Sequence, residues 1–432
     1  MEQQPHSTEH SEHHHHHSTE HSEHRHHHHH HRRRRKSKSG RSAKKSRYLL
    51  LNVLFLMVAI TVCVVAILVK IPTPGGKAPV GGASSVESLG VGDATIQLEL
   101  PFFKSDVYLI EKRLQGYLNR EHAEIKEYKK EDERLDKGLP VTLAFRVNGL
   151  PPEYTVASSQ IDVSEDPAFT APQTYKLKRD ENRAEVYHLK TNTRYYYRVT
   201  ATLSNGATLS AQSEFHTADT PRILSIDGAV NVRDIGGWKT TDGKTVRQGL
   251  LYRGSELDGA SEKDFCITPK GLSTMLDTLG IRTDLDLRSE LANPNGTDAL
   301  GASVEHIYFD ALHYTDIFSE YGEFVVKRLF TRLAEESCYP AYLHCAYGMD
   351  RTGTMCFLLG ALLGVREEDL LREYRLSELY YGWADNGMIK SFANKLSERE
   401  GDTLKDKAES FVLSTGVTKE QIESIREIFL AE

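Results

Sequence analysis

One ten-residue stretch, His344 to Gly353 (HCAYGMDRTG), carries the residue types and spacing from which covalent phosphate chemistry can be built. A cysteine is followed by five residues and then by Arg351 and Thr352. The preceding PAYLHC reads as a buried strand and the following RTGTMCFLLGALLGV as an apolar helix, so Cys345 should close a strand and Arg351 open a helix. Between them, the backbone N–H groups of Ala346, Tyr347, Gly348, Met349, Asp350, Arg351 and Thr352, together with the helix N-terminus, would make a cradle for a tetrahedral dianion. The same field favours the Cys345 thiolate, which can attack phosphorus. Arg351 offers two parallel donors to the non-bridging oxygens, a geometry lysine cannot match. Gly348 permits close approach or a positive φ, and Thr352 could donate its hydroxyl to the departing sulfur.

Such a reaction also needs an acid, because a phenolate or alkoxide leaves far better when protonated. The candidates are Asp350 in the loop, Asp286 in DLDLRS and Asp310 in YFDALHYTD. His344 should orient the loop and stabilise the thiolate by hydrogen bonding. No metal or other cofactor is required, since thiolate, cradle and Arg351 supply nucleophile and charge stabilisation. His306 and His313 read as ordinary loop histidines.

Around this stretch, from Pro221 onward, strand-like runs (LLYRG, IRTDLDL, HIYFDAL, PAYLHC) alternate with helical ones. That alternation predicts an α/β domain over 219–432, with a mostly parallel central sheet flanked by helices and its active site at the strand C-termini. HC-x5-R-[ST]-G resembles the signature loop of cysteine-dependent tyrosine and dual-specificity phosphatases. NVRDIGGW (Asn231 to Trp238), LYRGSEL (Leu251 to Leu257) and LGIRTDLDLRSE (Leu279 to Glu290) narrow the resemblance to bacterial and fungal tyrosine phosphatases related to the secreted mycobacterial and listerial enzymes. The resemblance makes Asp350 the first choice of acid, and it implies that Asp286, Arg288 and Arg233 buttress the loop. That family usually carries a lysine, associated with phosphoinositide activity, where this chain has Met349. The missing charge favours phosphotyrosine over a polyanionic inositol lipid, which is the alternative substrate.

Residues 137–218 change character to short alternating or β-branched runs parted by Pro, Gly, Asn and Asp, the pattern of an antiparallel β-sandwich. Leu189, Thr193 and Tyr195 in LKTNTRYYYRV resemble the tyrosine corner of fibronectin type III domains. The sandwich's partner is not indicated. Ahead of it, 94–136 reads as a stalk or helical connector with an apolar face at Val107, Ile110, Leu114, Tyr117 and Leu118, and 70–93 as a flexible linker.

Leu49 to Val69 has no charged residue and, as a helix of about 1.5 Å rise per residue, covers the bilayer's hydrocarbon. Residues 1–48 are a low-complexity tail in which His6 to His31 hold fifteen histidines, giving at most weak metal binding, followed by the basic run Arg32 to Arg47. Basic residues ahead of the span predict a single-pass cell-membrane protein with a cytoplasmic N-terminus and an extracytoplasmic catalytic domain.

The 432 residues carry a net charge of −7, yet 1–48 alone contributes +6, so the remainder stands at −13, which excludes a nucleic-acid-binding body. Five cysteines are too few and too scattered for a disulfide scaffold or a zinc knuckle. Two non-phosphatase readings remain: a surface binding protein that keeps the fold as a docking module, and sulfur or arsenate chemistry in a related loop. The intact Cys345, Asp350, Arg351 and Thr352 oppose the first, and the RTG ending with NVRDIGG and DLRSE opposes the second.

Overall fold

The computed structural model describes residues 86–91, 94–120, 124–130, 133–292 and 298–431. These fall in the second of two compact units, Pro79–Glu432. The His-rich tail, the 49–69 span and most of the 70–93 linker lie outside the described residues. Among the described residues no helix is long and apolar enough to cross a membrane.

Among the described residues nine strands build the first domain: β1 (Val86–Val91), β2 (Ala94–Glu99), β3 (Val141–Ala144), β4 (Arg146–Asn148), β5 (Val156–Ser164), β6 (Gln173–Leu177), β7 (Arg183–Val186), β8 (Arg194–Leu203) and β9 (Thr208–His216). All pair antiparallel, in the orders β1-β2-β4, β3-β7 and β6-β5-β8-β9. Alternation explains the layering: every second residue of β8, from Tyr195 to Leu203, is buried, and these side chains meet Ile96 and Leu98 of β2 and Val141 and Leu143 of β3 in one core. Tyr195 Oη accepts a hydrogen bond from Lys190 N at 2.8 Å, locking the entry to β8.

The sandwich begins earlier than the boundary at 137. TIQLEL alternates inward at Ile96, Leu98 and Leu100, so the supposed linker and stalk contain two of the sandwich's own strands. Among the described residues of the expected connector, α-helix is confined to Leu114–Leu118 (α1), while Val107 bridges to Thr217. The 100–140 connection is thus an insertion between two sandwich strands.

The second domain has the expected α/β frame. Its sheet runs β10 (Arg233–Asp234), β12 (Leu251–Gly254), β15 (Ala341–His344), β13 (Thr283–Asp286), β14 (Glu305–Tyr308), parallel except for β10. A further pair joins β11 (Thr245–Val246) to β16 (Leu430–Ala431). The central strands β12, β13 and β15 are buried along their whole length, as a parallel sheet covered on both faces requires. Helices α2 (Pro269–Ser273), α3 (Glu320–Leu333), α4 (Asp350–Leu363), α5 (Glu367–Arg375), α6 (Glu378–Tyr381), α7 (Asn386–Ser397), α8 (Leu404–Ser414) and α9 (Lys419–Phe429) surround it. Of these α4 is central, buried from Thr352 to Leu363, which is why its sequence carries no polar face.

Tyr195→Phe removes the acceptor from a backbone N–H and should destabilise the sandwich by about 1–3 kcal/mol. Urea unfolding of the two proteins measures this; identical midpoints would deny the corner any energetic role.

Candidate active site

β15 ends at His344, and Cys345, 4% exposed, sits at the strand's C-terminal edge with α4 beginning five residues on. Gly348 has φ +64°, and a Cβ there would stand 2.1 Å from Gly254 O, so both backbone and space demand glycine.

The loop's polarity is set from behind. His344 Nδ1 lies 3.3 Å from Cys345 O, and Glu256 N donates to Ala346 O at 3.0 Å. Tyr347 O accepts from Tyr381 Oη (2.7 Å) and Asn231 Nδ2 (3.2 Å). Gly348 O accepts from Arg253 Nη2 (2.6 Å) and Asn231 Nδ2 (3.3 Å). Each carbonyl from Cys345 to Gly348 is therefore engaged by the surrounding protein, whereas no backbone N–H from Ala346 to Thr352 donates to an acceptor among the described residues. An anion is the partner such a set of donors lacks.

Arg351, half-buried, likewise has no ion pair or hydrogen bond among the described residues. The Thr352 hydroxyl is fully buried and unpartnered. Asp350 accepts a hydrogen bond from Tyr314 Oη, which also lies 2.6 Å from Tyr374 Oη. Burial pushes both phenols well above their usual range, reinforced at Tyr314 by its contacts with Asp350 and Tyr374, so Tyr314 keeps its proton and donates it to the Asp350 carboxyl.

Arg288 spans Asp286, Asp258 and Glu256 through contacts of 2.7–3.1 Å, and Glu256 in turn holds Ala346 O. Arg233 binds Glu373 at 2.6 Å and Asn231 at 2.5 Å, so it reaches the loop through Asn231. Asp286 is wholly buried; burial opposes its charge, but His344, His306 and Arg288 outweigh that and hold it well below the usual carboxylate range. A carboxylate so held cannot lend a proton. Asp310 is exposed, with φ +50°, and accepts from Tyr321 Oη at 2.9 Å. Of the three candidate acids, only Asp350 belongs to the loop.

His344 Nε2 lies 2.9 Å from Asp284 and 3.8 Å from Asp286. Burial alone would discharge it, but the two carboxylates raise its pKa to about 9. His306 is no simple loop histidine: Asp286, Asp298 and Asp284 overcome its burial and raise it to about 10. Ligand atoms of Asp284, Asp298 and His306 lie within 4.8 Å of one another, an arrangement these ion pairs account for. Burial pushes the Cys338 and Cys356 thiols up to about 11, which leaves them inert at neutral pH.

Sequence reasoning passed over Asn231, Arg253, Glu373, Tyr314 and Tyr381. Asn231 and Arg253 lie within the two stretches NVRDIGGW and LYRGSEL, whose buried polar residues were the available signal. Glu373, Tyr314 and Tyr381 come from other elements and carry no local signature.

Strand-ended cysteine, outward-turned carbonyls and an arginine unpaired among the described residues together make a cradle fit for a tetrahedral oxyanion. Residues 224–431 match the model of a tyrosine phosphatase family. A relative from Cupriavidus necator, provisionally named a tyrosine-protein phosphatase, is 31% identical over 176 residues, 35% of this chain and 61% of the relative. The chain thus spans less than two thirds of that curated relative. Among solved structures, the core catalytic domain of the PP-IP phosphatase SIW14 from S. cerevisiae, in complex with citrate, is 16% identical with a TM-score of 0.22, covering 34% of this chain and 93% of that one. TpbA of P. aeruginosa, in complex with pTyr, is 18% identical with a TM-score of 0.22, covering 35% and 90%.

A histidine whose folded pKa is raised contributes stability that is complete below its unfolded value of 6.5 and is lost as pH rises through about 9. His344→Gln should therefore remove part of the decline in melting temperature between pH 7 and 9.5. Parallel melting curves over that range would mean that His344 is neutral in the folded protein.

Proposed function

We propose that this protein is a membrane-anchored phosphatase that hydrolyses phosphotyrosine through a phosphocysteine intermediate. The observation that carries this reading is the loop itself, with seven N–H groups and Arg351, all unpaired among the described residues, gathered around Cys345. Cys345 Sγ attacks phosphorus; the S–P bond forms, the ester P–O bond breaks, and Asp350 gives its proton to the leaving phenolate. Arg351 and the loop N–H groups bear the charge on the equatorial oxygens. In the second step water attacks phosphorus, Asp350 takes a proton, and the thiolate departs with the Thr352 hydroxyl available to it.

Met349 is 2% exposed and adds no charge to the mouth of the cradle, which disfavours a polyanionic head group. Tyr347, 37% exposed, meets Phe265 and Tyr381 edge-on, and this aromatic rim suits a phenyl ester. The NVRDIGGW, LYRGSEL and DLRSE stretches support descent from the bacterial and fungal tyrosine phosphatases. Strand order and the Tyr195 corner support a fibronectin type III-like sandwich. Arg32 to Arg47 ahead of the apolar 49–69 segment supports an anchor with the N-terminus in the cytoplasm and the catalytic domain outside it.

The deciding measurement is phosphate release by the full-length protein from a phosphotyrosine peptide, a phosphoserine peptide and soluble phosphoinositides, with Cys345→Ser as blank. The tyrosine peptide should lead by about tenfold or more in kcat/KM, roughly 1.4 kcal/mol of discrimination. Preference for the inositol lipid would overturn the substrate, and no turnover of any would make the domain a binding module. Asp350→Asn should slow alkyl phosphates about 100-fold more than activated aryl phosphates, the scale of general-acid catalysis. Equal losses on both would transfer the proton to Asp310.

A further inference from the structure

The insertion between β2 and β3 leaves the sandwich, lies on the α/β domain and returns. Its helix α1 packs Leu114, Tyr117 and Leu118 against Ile223, Leu376 and Leu379. Tyr117 Oη donates to Glu378 at 2.7 Å, and Leu135 N donates to Leu379 O at 3.2 Å. The Arg134 guanidinium stands 4.8 Å from the Tyr380 ring centroid and grips both oxygens of Asp136, at 3.1 and 3.0 Å.

Asp136, 4% exposed, is the end of this chain of contacts, and its Oδ2 accepts from Asn231 N at 2.9 Å. Asn231 is 2% exposed with φ +57°, a left-handed conformation that persists only where its surroundings enforce it. Its Nδ2 is the donor shared by Tyr347 O, Gly348 O and Ser377 Oγ, at 3.2, 3.3 and 3.2 Å. A carboxylate of the sandwich domain is therefore two hydrogen bonds from the carbonyls that give the cradle its polarity.

We propose that Asp136 is a positioning residue for the signature loop, so that the sandwich's insertion sets the loop's affinity for a phosphate-like anion. Without the carboxylate, Asn231 N–H is buried with no acceptor and Arg134 loses its partner. Asn231 then keeps only the Arg233 contacts to its O and Oδ1 and the Ser377 contact to hold its left-handed backbone, and Nδ2 is less firmly aimed at the two carbonyls. Tyr347 O and Gly348 O are left to Tyr381 Oη and Arg253 Nη2 alone, and the N–H groups on the far side of those peptide planes converge less tightly. This deepens the phosphatase reading and rests on it only for the kinetic readout, because oxyanion binding needs no turnover.

The test measures tungstate affinity by calorimetry in the full-length protein and in Asp136→Ala, Asp136→Asn and Arg134→Met, with KM for p-nitrophenyl phosphate and melting temperature alongside. Asp136→Ala should weaken tungstate about tenfold or more and raise KM by a similar factor, the loss of one buried charged hydrogen bond. Asp136→Asn keeps an acceptor for Asn231 N–H and should recover to within about threefold of the unmutated protein. A merely structural Asp136 would lower the melting temperature and leave affinity and KM unchanged in the folded fraction, and that result overturns the proposal. If Asp136→Ala does not fold, Arg134→Met decides: weaker tungstate binding supports the proposal, and unchanged binding overturns it. A protein that binds tungstate yet hydrolyses nothing overturns the phosphatase reading alone, while the same variants still decide the role of Asp136.

Discussion

The site depends on which way four peptide planes face. A carbonyl and the next residue's N–H point in opposite directions across one peptide, so anchoring the oxygens of Cys345, Ala346, Tyr347 and Gly348 from behind forces the adjoining N–H groups toward the site. Left to itself, a loop of this length would turn some carbonyls inward, where they would repel an anion. The donors that prevent this come from Glu256, Asn231, Arg253, Tyr381 and His344, which lie far apart in the chain. Much of the α/β domain can be read as the support these five require.

That support is ionic and dry. Arg253 is fully buried with a 2.7 Å contact to Glu373, which also holds Arg233, while Arg288 ties Asp286, Asp258 and Glu256 together. Burial penalises every one of these charges, and replacing such clusters with apolar side chains often leaves stability unchanged or improved. Their presence here has a geometric reason. An apolar residue at position 253 could pack, but it could not supply a donor 2.6 Å from Gly348 O. The exposed pairs, such as Arg194 with Glu214, have no such task and contribute little.

The parts legible in the sequence are those whose physics is local. The strand, loop and helix from PAYLHC to ALLGV follow from hydrophobic pattern and one glycine, and the alternation in RYYYRVTATL placed β8. Cys345, Arg351 and Thr352 are readable because their spacing is itself the geometry. For Asn231 and Arg253 the stretches NVRDIGGW and LYRGSEL mark the residues but not their task, since each acts across more than ninety residues and nothing near them announces the acceptor. Asp286 shows the limit from the other side. A carboxyl beside the loop strand invites an acid's role, and only the neighbouring Arg288 and His344 reveal that it is fixed as a carboxylate.

The misplaced boundary at 137 has the same origin. Assigning Val86–Val91 to a linker and TIQLEL to a stalk cost two strands, because β2 is separated from β4, its partner, by an insertion of some forty residues, and alternation alone does not say what a strand pairs with. The consequence reaches the chemistry. A free stalk would leave the two domains as beads on a string, whereas an insertion anchored at both ends in the sandwich has little freedom to wander once α1 is docked. Closing that loop costs entropy once, and the cost is shared between folding the sandwich and bracing Asn231. An isolated α/β domain would have to hold Asn231 in its left-handed conformation without Asp136, and the cradle's polarity would rest on one support fewer.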